Sequence, residues 1–540
     1  GFGYRIMEIK KITVVGGGTA GSLASAFLQR DFPQSTVTLI HSDKIPKIGV
    51  GESLTPHMAS IINGLGVDEK KFMRETGSIF KYGNSMEGWT DRNVIRNFRW
   101  AYDIEKNEDW HNSYNTRPTD LRSIDVWIDV QNNNLAPDLY MYHHISPFYQ
   151  YAKQKKMPFD NDFNYMMSTT GNYTYHINTE KVAPWLIENV CKPKGVIEKI
   201  STITKVNTDE TGIKNVELET GEVITSDIWV DCSGLSRVLI KELTQEFKEY
   251  EANIMNSAWV SPLKYDNKEE EIVNYTRSIA NEMGWYFHLP LFDRIGSGQI
   301  YSDKYFSDED ALEHYKNIIG NKNLKEPRLL KWHPGRLEKP NVGNCFAVGM
   351  AAGFVDPLEA TAIATGIAGM KRISWMFNRN LDKDYYNRKM NYYFDDIAEF
   401  ISVHYTLSHR NDNKFWKDMK QLGKKLNHVN LIKDKIYNEA NCVDSNVGYV
   451  TAFPDAIWLC LANNWVRDLK DYPQRSTHEQ QIEYIKKTRE EIKKHTEQGS
   501  KNKSILDFYK NLYTKENYTF KMKTWPLWFY QEMWQSTTNE

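Results

Sequence analysis

The sequence predicts an α/β protein: a Rossmann-like nucleotide-binding unit whose parts are split along the chain, a mixed β-sheet, and a largely helical C-terminal part. Three observations predict it. A β-branched run, Lys11-Ile-Thr-Val-Val15, leads directly into Gly16-Gly-Gly-Thr-Ala-Gly21 and then into an Ala/Leu-rich stretch. Alternating apolar and polar residues recur between 203 and 301. Beyond about residue 364 the pattern changes to helical spacing.

The first unit reads as strand, turn, helix and strand. Lys11–Val15 is a buried strand, 22–29 a helix, and 37–40 a second strand after the turn signal Asp31-Phe-Pro33. Gly16-x-Gly18-x-x-Gly21 lies between the first strand and the helix. There the first glycine permits the tight turn, the second lets backbone approach a pyrophosphate, and the third lets helix and strand pack closely. Thr19 and Ala20 lie within the turn, and the N-terminus of the helix that follows faces the phosphates with unpaired N–H groups. The alternative reading is a plain β–α turn. At the end of the second strand, where many such sites carry a ribose-binding acid, stands His41. It reads equally as a hydrogen-bond acceptor or as a solvated loop histidine.

The remaining elements follow in order. Residues 70–170 are polar and aromatic with weak periodicity and read as an inserted substrate lobe. Glycines at 212 and 221 mark hairpins within 203–230, strands continue through 284–301, and Phe346–Val348 enters a Gly-rich turn. Residues 476–503 form a charged helix. The expected organisation is an appended remnant at 1–6 ahead of Met7, a body over 7–400, and a helical lobe over 401–540.

Composition narrows the class. With 540 residues the chain can bury a large core, and a formal net charge of −2 points away from nucleic acid and acidic membranes. Five cysteines without CxxC spacing exclude a disulfide framework or structural zinc site, so no metal is expected and a reducing, cytoplasmic setting is. Neither a bilayer-spanning apolar run nor a secretory leader is read. Trp525, Trp528, Phe529 and Trp534 are expected to dock on the body. Oligomeric state is left open.

The nucleotide is read as FAD. NAD enzymes keep their first lobe as compact β–α repeats; here it is interrupted, and nucleotide-like pieces return at Asp231-Cys-Ser-Gly234 and at Gly349 to Asp356. Only one GxGxxG is evident, so no separate NAD(P)H site is expected and a separate reductase would supply FADH2.

At this point the residues carry a resemblance. The chain resembles the flavin-dependent tryptophan halogenases and their phenolic and viral relatives, in pieces from Ile12 to about Trp416. The pieces are Ile45-Pro-Lys-Ile-Gly-Val-Gly-Glu-Ser53, Ser78-Ile-Phe-Lys81, Tyr175-His-Ile-Asn178, Val230-Asp-Cys-Ser-Gly234, CFAVGMAAGFVDPLEATAI over 345–363 and HYTLSHRNDNKFW over 404–416. The resemblance implies a flavin-monooxygenase type of FAD fold. Gly49, Val50, Gly51, Glu52, Asp231, Gly349, Met350 and Ile363 would join Gly16, Gly18, Thr19, Ala20, Gly21 and His41 around the cofactor. It implies that FADH2, dioxygen and halide yield hypohalous acid, with halide held by backbone N–H groups of Thr361 and Ala362. Lys81 would receive the oxidant, as a hydrogen-bonding ammonium or as a haloamine-forming amine; otherwise it is an exposed helical lysine. Glu359 would orient Lys81 or take the proton lost as aromaticity returns, and otherwise is a solvent-facing turn residue. Asp356 reads as a cap and His404 as a helix-packing residue. His111, Phe287 and Trp458 are the substrate-pocket candidates for a small aromatic substrate. His111 and Trp458 read equally as structural or packing residues.

Two departures stand out. The family's W-x-W-x-I-P reads Trp285-Tyr-Phe-His-Leu-Pro290, keeping bulk and apolarity, and its Glu-Ser-Thr-Gly turn reads Glu359-Ala-Thr-Ala362. Competing readings are a flavin monooxygenase acting directly on its substrate, an FAD-binding protein without chemistry, and a NAD-dependent dehydrogenase.

Overall fold

The computed structural model describes residues 8–44, 50–97, 123–140, 148–161, 173–438, 465–466 and 469–514. Residues 1–6, Gly49, His111, Trp458 and the aromatic residues 525–534 lie outside the described residues.

A six-stranded sheet carries the nucleotide-binding unit. Its order is Asn341–Val342, Cys345–Ala347, Ile228–Asp231, Lys11–Val15, Thr36–His41 and Ile197–Ile200, all parallel except the first. Apolar runs such as Ile12, Val14, Val37, Leu39 and Val230 are buried, as expected of parallel strands covered on both faces. In register, Val15 stands opposite Ile40 and Asp231, and Asp231 opposite Ala347. The strands therefore end together, and Gly16, His41, Cys232 and Val348 leave the sheet at one edge. Sheets of this type bind ligands at that edge. The helix Thr19–Asp31 packs against the late helix Ala362–Asn378, which brings the two distant nucleotide-like segments together.

The second large sheet has seven strands, in the order Arg328–Lys331, Ser257–Leu263, Ile295–Tyr301, Gly284–Pro290, Thr276–Asn281, Gly83–Glu87 and Val94–Asn97. Its last two members come from the stretch expected to be an inserted lobe. That stretch looked irregular because Gly83–Glu87 is buried along most of its length and shows no alternation.

A small three-stranded sheet joins the two regions. Thr174–Ile177 lies at its centre, with Glu52–Ser53 on one side and Ile79–Lys81 on the other. From Lys81 the chain passes directly into the large sheet, where the Tyr82 amide donates to Asn274 O at 2.8 Å.

The charged helix His478–Lys501 begins with a reciprocal capping box between Thr477 and Gln480 and packs on Ser123–Asn132 and Phe148–Lys153. The following helix, Ile505–Thr514, reaches the small sheet. Phe508 stands 6.2 Å from Phe80, and the Phe80 amide donates to Tyr509 Oη at 2.9 Å. No helix of the described residues is long and apolar enough to cross a membrane.

Candidate active site

The glycine turn has the shape of a pyrophosphate cradle. A Cβ on Gly16, at φ +129°, would lie 2.2 Å from Cys232 O, and one on Gly21 would lie 1.8 Å from Gly16 O. Both positions therefore exclude any side chain. A Cβ on Gly18 would meet nothing within 4 Å, so that face opens away from protein. No side chain caps the helix at Gly18, leaving the N–H groups of its first turn for an external acceptor. Gly349, at φ +68°, would place a Cβ 3.6 Å from Gly366 Cα and 3.7 Å from Ala20 Cβ. Small residues of the glycine turn, the 349 turn and the late helix thus pack together, with Met350 and Ile363 close to them in sequence. These residues fit a dinucleotide such as FAD.

His41 stands beside this turn, since a Cβ on Gly17 would lie 2.7 Å from its ring. Its Nε2 is 2.7 Å from Glu198 Oε1, and Glu198 also meets Lys192 Nζ at 3.0 Å. The acid missing from the second strand is supplied by the neighbouring strand, behind the histidine. Asp231 is fully buried. Its Oδ1 accepts from Ser233 N at 3.0 Å and its Oδ2 from the Leu239 and Ile240 amides at 2.8 and 2.9 Å. It shapes the turn that receives Gly16.

The strap Val50–Ser53 lies on the hairpin of the large sheet. Gly51, at φ +96°, is packed so closely that a Cβ would meet Leu289 Cδ1 at 2.9 Å. Leu289 belongs to the Trp285–Pro290 segment, so one departure from the family pattern supports the strap. Phe287 is buried in the same strand and packs across the hairpin on Gly298. Desolvation pushes the Glu52 carboxyl up to about 7.

The strap is tied to the sheet by a directional chain. His176 Nδ1 is 2.8 Å from Pro290 O, a group that only accepts, so Nδ1 carries the proton. Nε2 then accepts from Thr276 Oγ1 at 2.8 Å, and Thr276 accepts from Ser53 Oγ at 2.6 Å. Burial, with the Lys81 charge nearby, holds the His176 imidazole well below its usual range and so neutral.

Lys81 is 0 % exposed, and its Nζ donates to Leu54 O at 2.7 Å. It sits on a buried strand beside the strap, which disposes of the exposed-helix alternative.

Glu359 and Ala360 both adopt left-handed backbone conformations, with φ of 68° and 58°. This twist turns the Glu359 side chain inward, where it is buried. Its Oε2 accepts from Asn84 Nδ2 at 3.2 Å, and its Oε1 lies 3.1 Å from His404 Nε2. Asn84 lies three residues beyond Lys81, so its amide ties the strand that follows the lysine to the Glu359 turn. Asp356 caps the turn, accepting from the Leu358 amide at 2.7 Å. Its other oxygen accepts from Tyr405 Oη at 3.1 Å, and Tyr405 accepts from Trp285 Nε1 at 2.8 Å. Burial, reinforced by the Glu359 charge, pushes the Asp356 carboxyl up to about 7. Thr361 and Ala362 begin the helix Ala362–Asn378 with no side-chain cap, which leaves N–H groups suited to an anion.

Sequence reasoning missed Glu198, Asn84 and the role of His404. The 404–416 segment was conspicuous, but a partner 45 residues upstream leaves no local periodic signal. His288 is buried, and desolvation pulls its imidazole down to about 3, in keeping with a structural residue. Among the described residues no group of three or more His, Cys, Asp or Glu could hold a metal ion.

The sequence model of the tryptophan halogenase family matches residues 11–465. Among curated relatives, tryptophan 6-halogenase ThaL of Streptomyces albogriseolus is 29% identical over 442 residues, covering 79% of this chain and 81% of that protein. Tryptophan 7-halogenase RebH of Lentzea aerocolonigenes is 27% identical over 429 residues, covering 77% and 79%. Among solved structures, a tryptophan halogenase from Shewanella frigidimarina superposes with a TM-score of 0.80 at 21% identity, covering 95% of this chain and 99% of that one. BrvH, a flavin-dependent halogenase from Brevundimonas sp. BAL3, gives 0.77 at 21%, covering 93% and 99%. These structures share the fold. With the glycine cradle, the strap and the buried lysine in place, the match over residues 11–465 makes the chain a member of the tryptophan halogenase family, a flavin-dependent halogenase.

Proposed function

We propose that the protein halogenates an electron-rich indole, phenol or other heteroaromatic compound, using FADH2 from a separate flavin reductase, dioxygen and halide. Bound FADH2 would supply the reducing equivalents that, with dioxygen, convert halide to hypohalous acid. The residues divide the remaining work. Gly16, Gly18, Thr19, Ala20 and Gly21 hold pyrophosphate, and His41, backed by Glu198, takes a ribose hydroxyl. Val50, Gly51, Glu52 and Gly349 to Met350, with Ile363, enclose the ring system. The N–H groups of Thr361 and Ala362 hold halide.

Lys81 Nζ receives hypohalous acid and polarises it toward the arene; Glu359 takes the proton from the halogenated ring carbon. The observation that carries this reading is the burial of Lys81 against the carbonyl of Leu54, the residue that follows the strap. A buried lysine is costly to keep without a task. The dry surroundings also protect the oxidant from water. Ala360 and Ala362, in place of the family's Ser and Gly, favour bromide or iodide over chloride; strict chloride selectivity in a competition assay refutes that preference.

The test supplies protein with FAD, reductase, NADH, an electron-rich arene and each halide, with products read by mass spectrometry. Lys81→Ala is expected to abolish halogenation while flavin content is retained. Unimpaired halogenation in that variant removes Lys81 from the reaction.

A further inference from the structure

We propose that His404 is a positioning residue that shares one proton with Glu359 and thereby sets the carboxylate's charge and direction; this rests on the reading that Glu359 serves halogenation.

The argument begins with the imidazole's two nitrogens. Nδ1 lies 2.9 Å from Phe400 O, the carbonyl one helical turn earlier. A carbonyl can only accept, so Nδ1 carries a hydrogen. In the singly protonated ring Nε2 is then a bare lone pair, yet it lies 3.1 Å from Glu359 Oε1. Two acceptors do not hold that distance in a dry interior, so one proton resides between them, on nitrogen or on oxygen. His176 shows the contrasting case, where a hydroxyl donor meets Nε2 and no extra proton is needed.

The surroundings fix the ring. His404 is 0 % exposed and meets three aromatic rings edge-on: Phe400 at 5.0 Å, Trp465 at 5.4 Å and Trp89 at 6.1 Å. The Trp465 indole also donates to His404 O at 3.1 Å. The ring therefore cannot swing away when its proton is lost. On the Glu359 side, Asn84 donates to the second oxygen, so both carboxylate oxygens are held. Among the described residues, Asp356 and Tyr405, bonded to each other, adjoin the Glu359 turn, and His428 is held by Thr406 Oγ1 at 2.7 Å. Lys81 lies on the strand that leads to Asn84.

This arrangement has a chemical consequence. The shared proton lets Glu359 keep anionic character without leaving a net charge in the pocket. Loss of that proton sets a lone pair against a carboxylate and disorders Glu359.

Two variants and one spectroscopic signature test this in the FAD-loaded protein, with flavin content and thermal melting confirming the fold. In ring-15N-histidine protein, a downfield, exchange-protected proton coupled to a histidine nitrogen is expected, and it should vanish in H404Q. Gln can donate to Glu359 but does not titrate. H404Q is therefore expected to keep more of kcat than H404F, and to lose the alkaline limb of the pH profile of arene halogenation. H404F should lower kcat at least about tenfold with KM within about twofold, while release of hypohalous acid to a small-molecule trap is unchanged. A wild-type pH profile in H404Q together with wild-type kcat in H404F overturns the inference, as does absence of the proton signal. Full activity in E359Q would instead sink the reading of Glu359 on which it stands.

Discussion

Two glycines of one motif should respond to the same substitution in opposite ways. Gly21→Ala places a methyl group 1.8 Å from Gly16 O. Reaching even the 3.0 Å lower limit of real contacts requires the turn and helix to separate by about 1.2 Å, which overpacking data put at about 1–3 kcal/mol. Gly18→Ala meets nothing within 4 Å, and its backbone, at φ −83° and ψ −172°, suits any residue. The apoprotein should therefore be unchanged or gain about 0.4–1 kcal/mol from a less flexible unfolded chain.

The added methyl nevertheless projects into the face reserved for pyrophosphate. FAD affinity in Gly18→Ala should fall at least about tenfold, or about 1.4 kcal/mol. Chemical denaturation of the apoprotein measures the first quantity and fluorescence titration with FAD the second. Gly21→Ala should lose both stability and affinity; Gly18→Ala should lose affinity alone. Wild-type FAD binding by a stable Gly18→Ala protein would refute the assignment of that open face to phosphate.

Other consequences follow from the Glu359 turn. Ala360 holds a left-handed conformation at φ 58°, so Ala360→Gly should stabilise the protein by about 1 kcal/mol in denaturant titration. Asp356, raised from 3.8 to about 7 by burial and by Glu359, contributes stability that is complete below pH 4 and lost as pH rises to 7, because only the unfolded chain releases the proton in that window. Asp356→Asn should remove that slope, so the stability of wild type relative to the variant should fall by on the order of 4 kcal/mol between pH 4 and 7; parallel curves would place the ionisation elsewhere. Trp285→Phe deletes the donor to Tyr405 Oη and should cost about 1–3 kcal/mol of unfolding free energy, with loss of less than the lower bound showing that water replaces the indole.

What the sequence could reveal depended on distance along the chain. The strand Lys11–Val15 falls where expected, and the next two elements run a few residues longer, as Thr19–Asp31 and Thr36–His41. Their signals are local: β-branched runs, small residues and glycines whose spacing has a steric cause. The helical ending was legible for the same reason. The strand 83–87 was not, because its pairing partner is near residue 278 and its burial erases alternation; 94–97 pairs in turn on 83–87. Lys81 and Glu359 were singled out by resemblance, with the flanking Phe80, Tyr82 and Gly83 the one local hint that the lysine is not a solvated one. Glu198 lies 157 residues from His41 and His404 lies 45 from Glu359. Such pairings arise only when sheet order brings separate segments together.

The little sheet centred on 174–177 acts as a ruler. Four residues of one strand grip the cofactor strap along one edge and the lysine segment along the other. A slip of one residue would turn Lys81 to the opposite face, because side chains alternate along a strand. On the proposed reading, the spacing between the flavin strap and Lys81 is thus set by backbone hydrogen bonds.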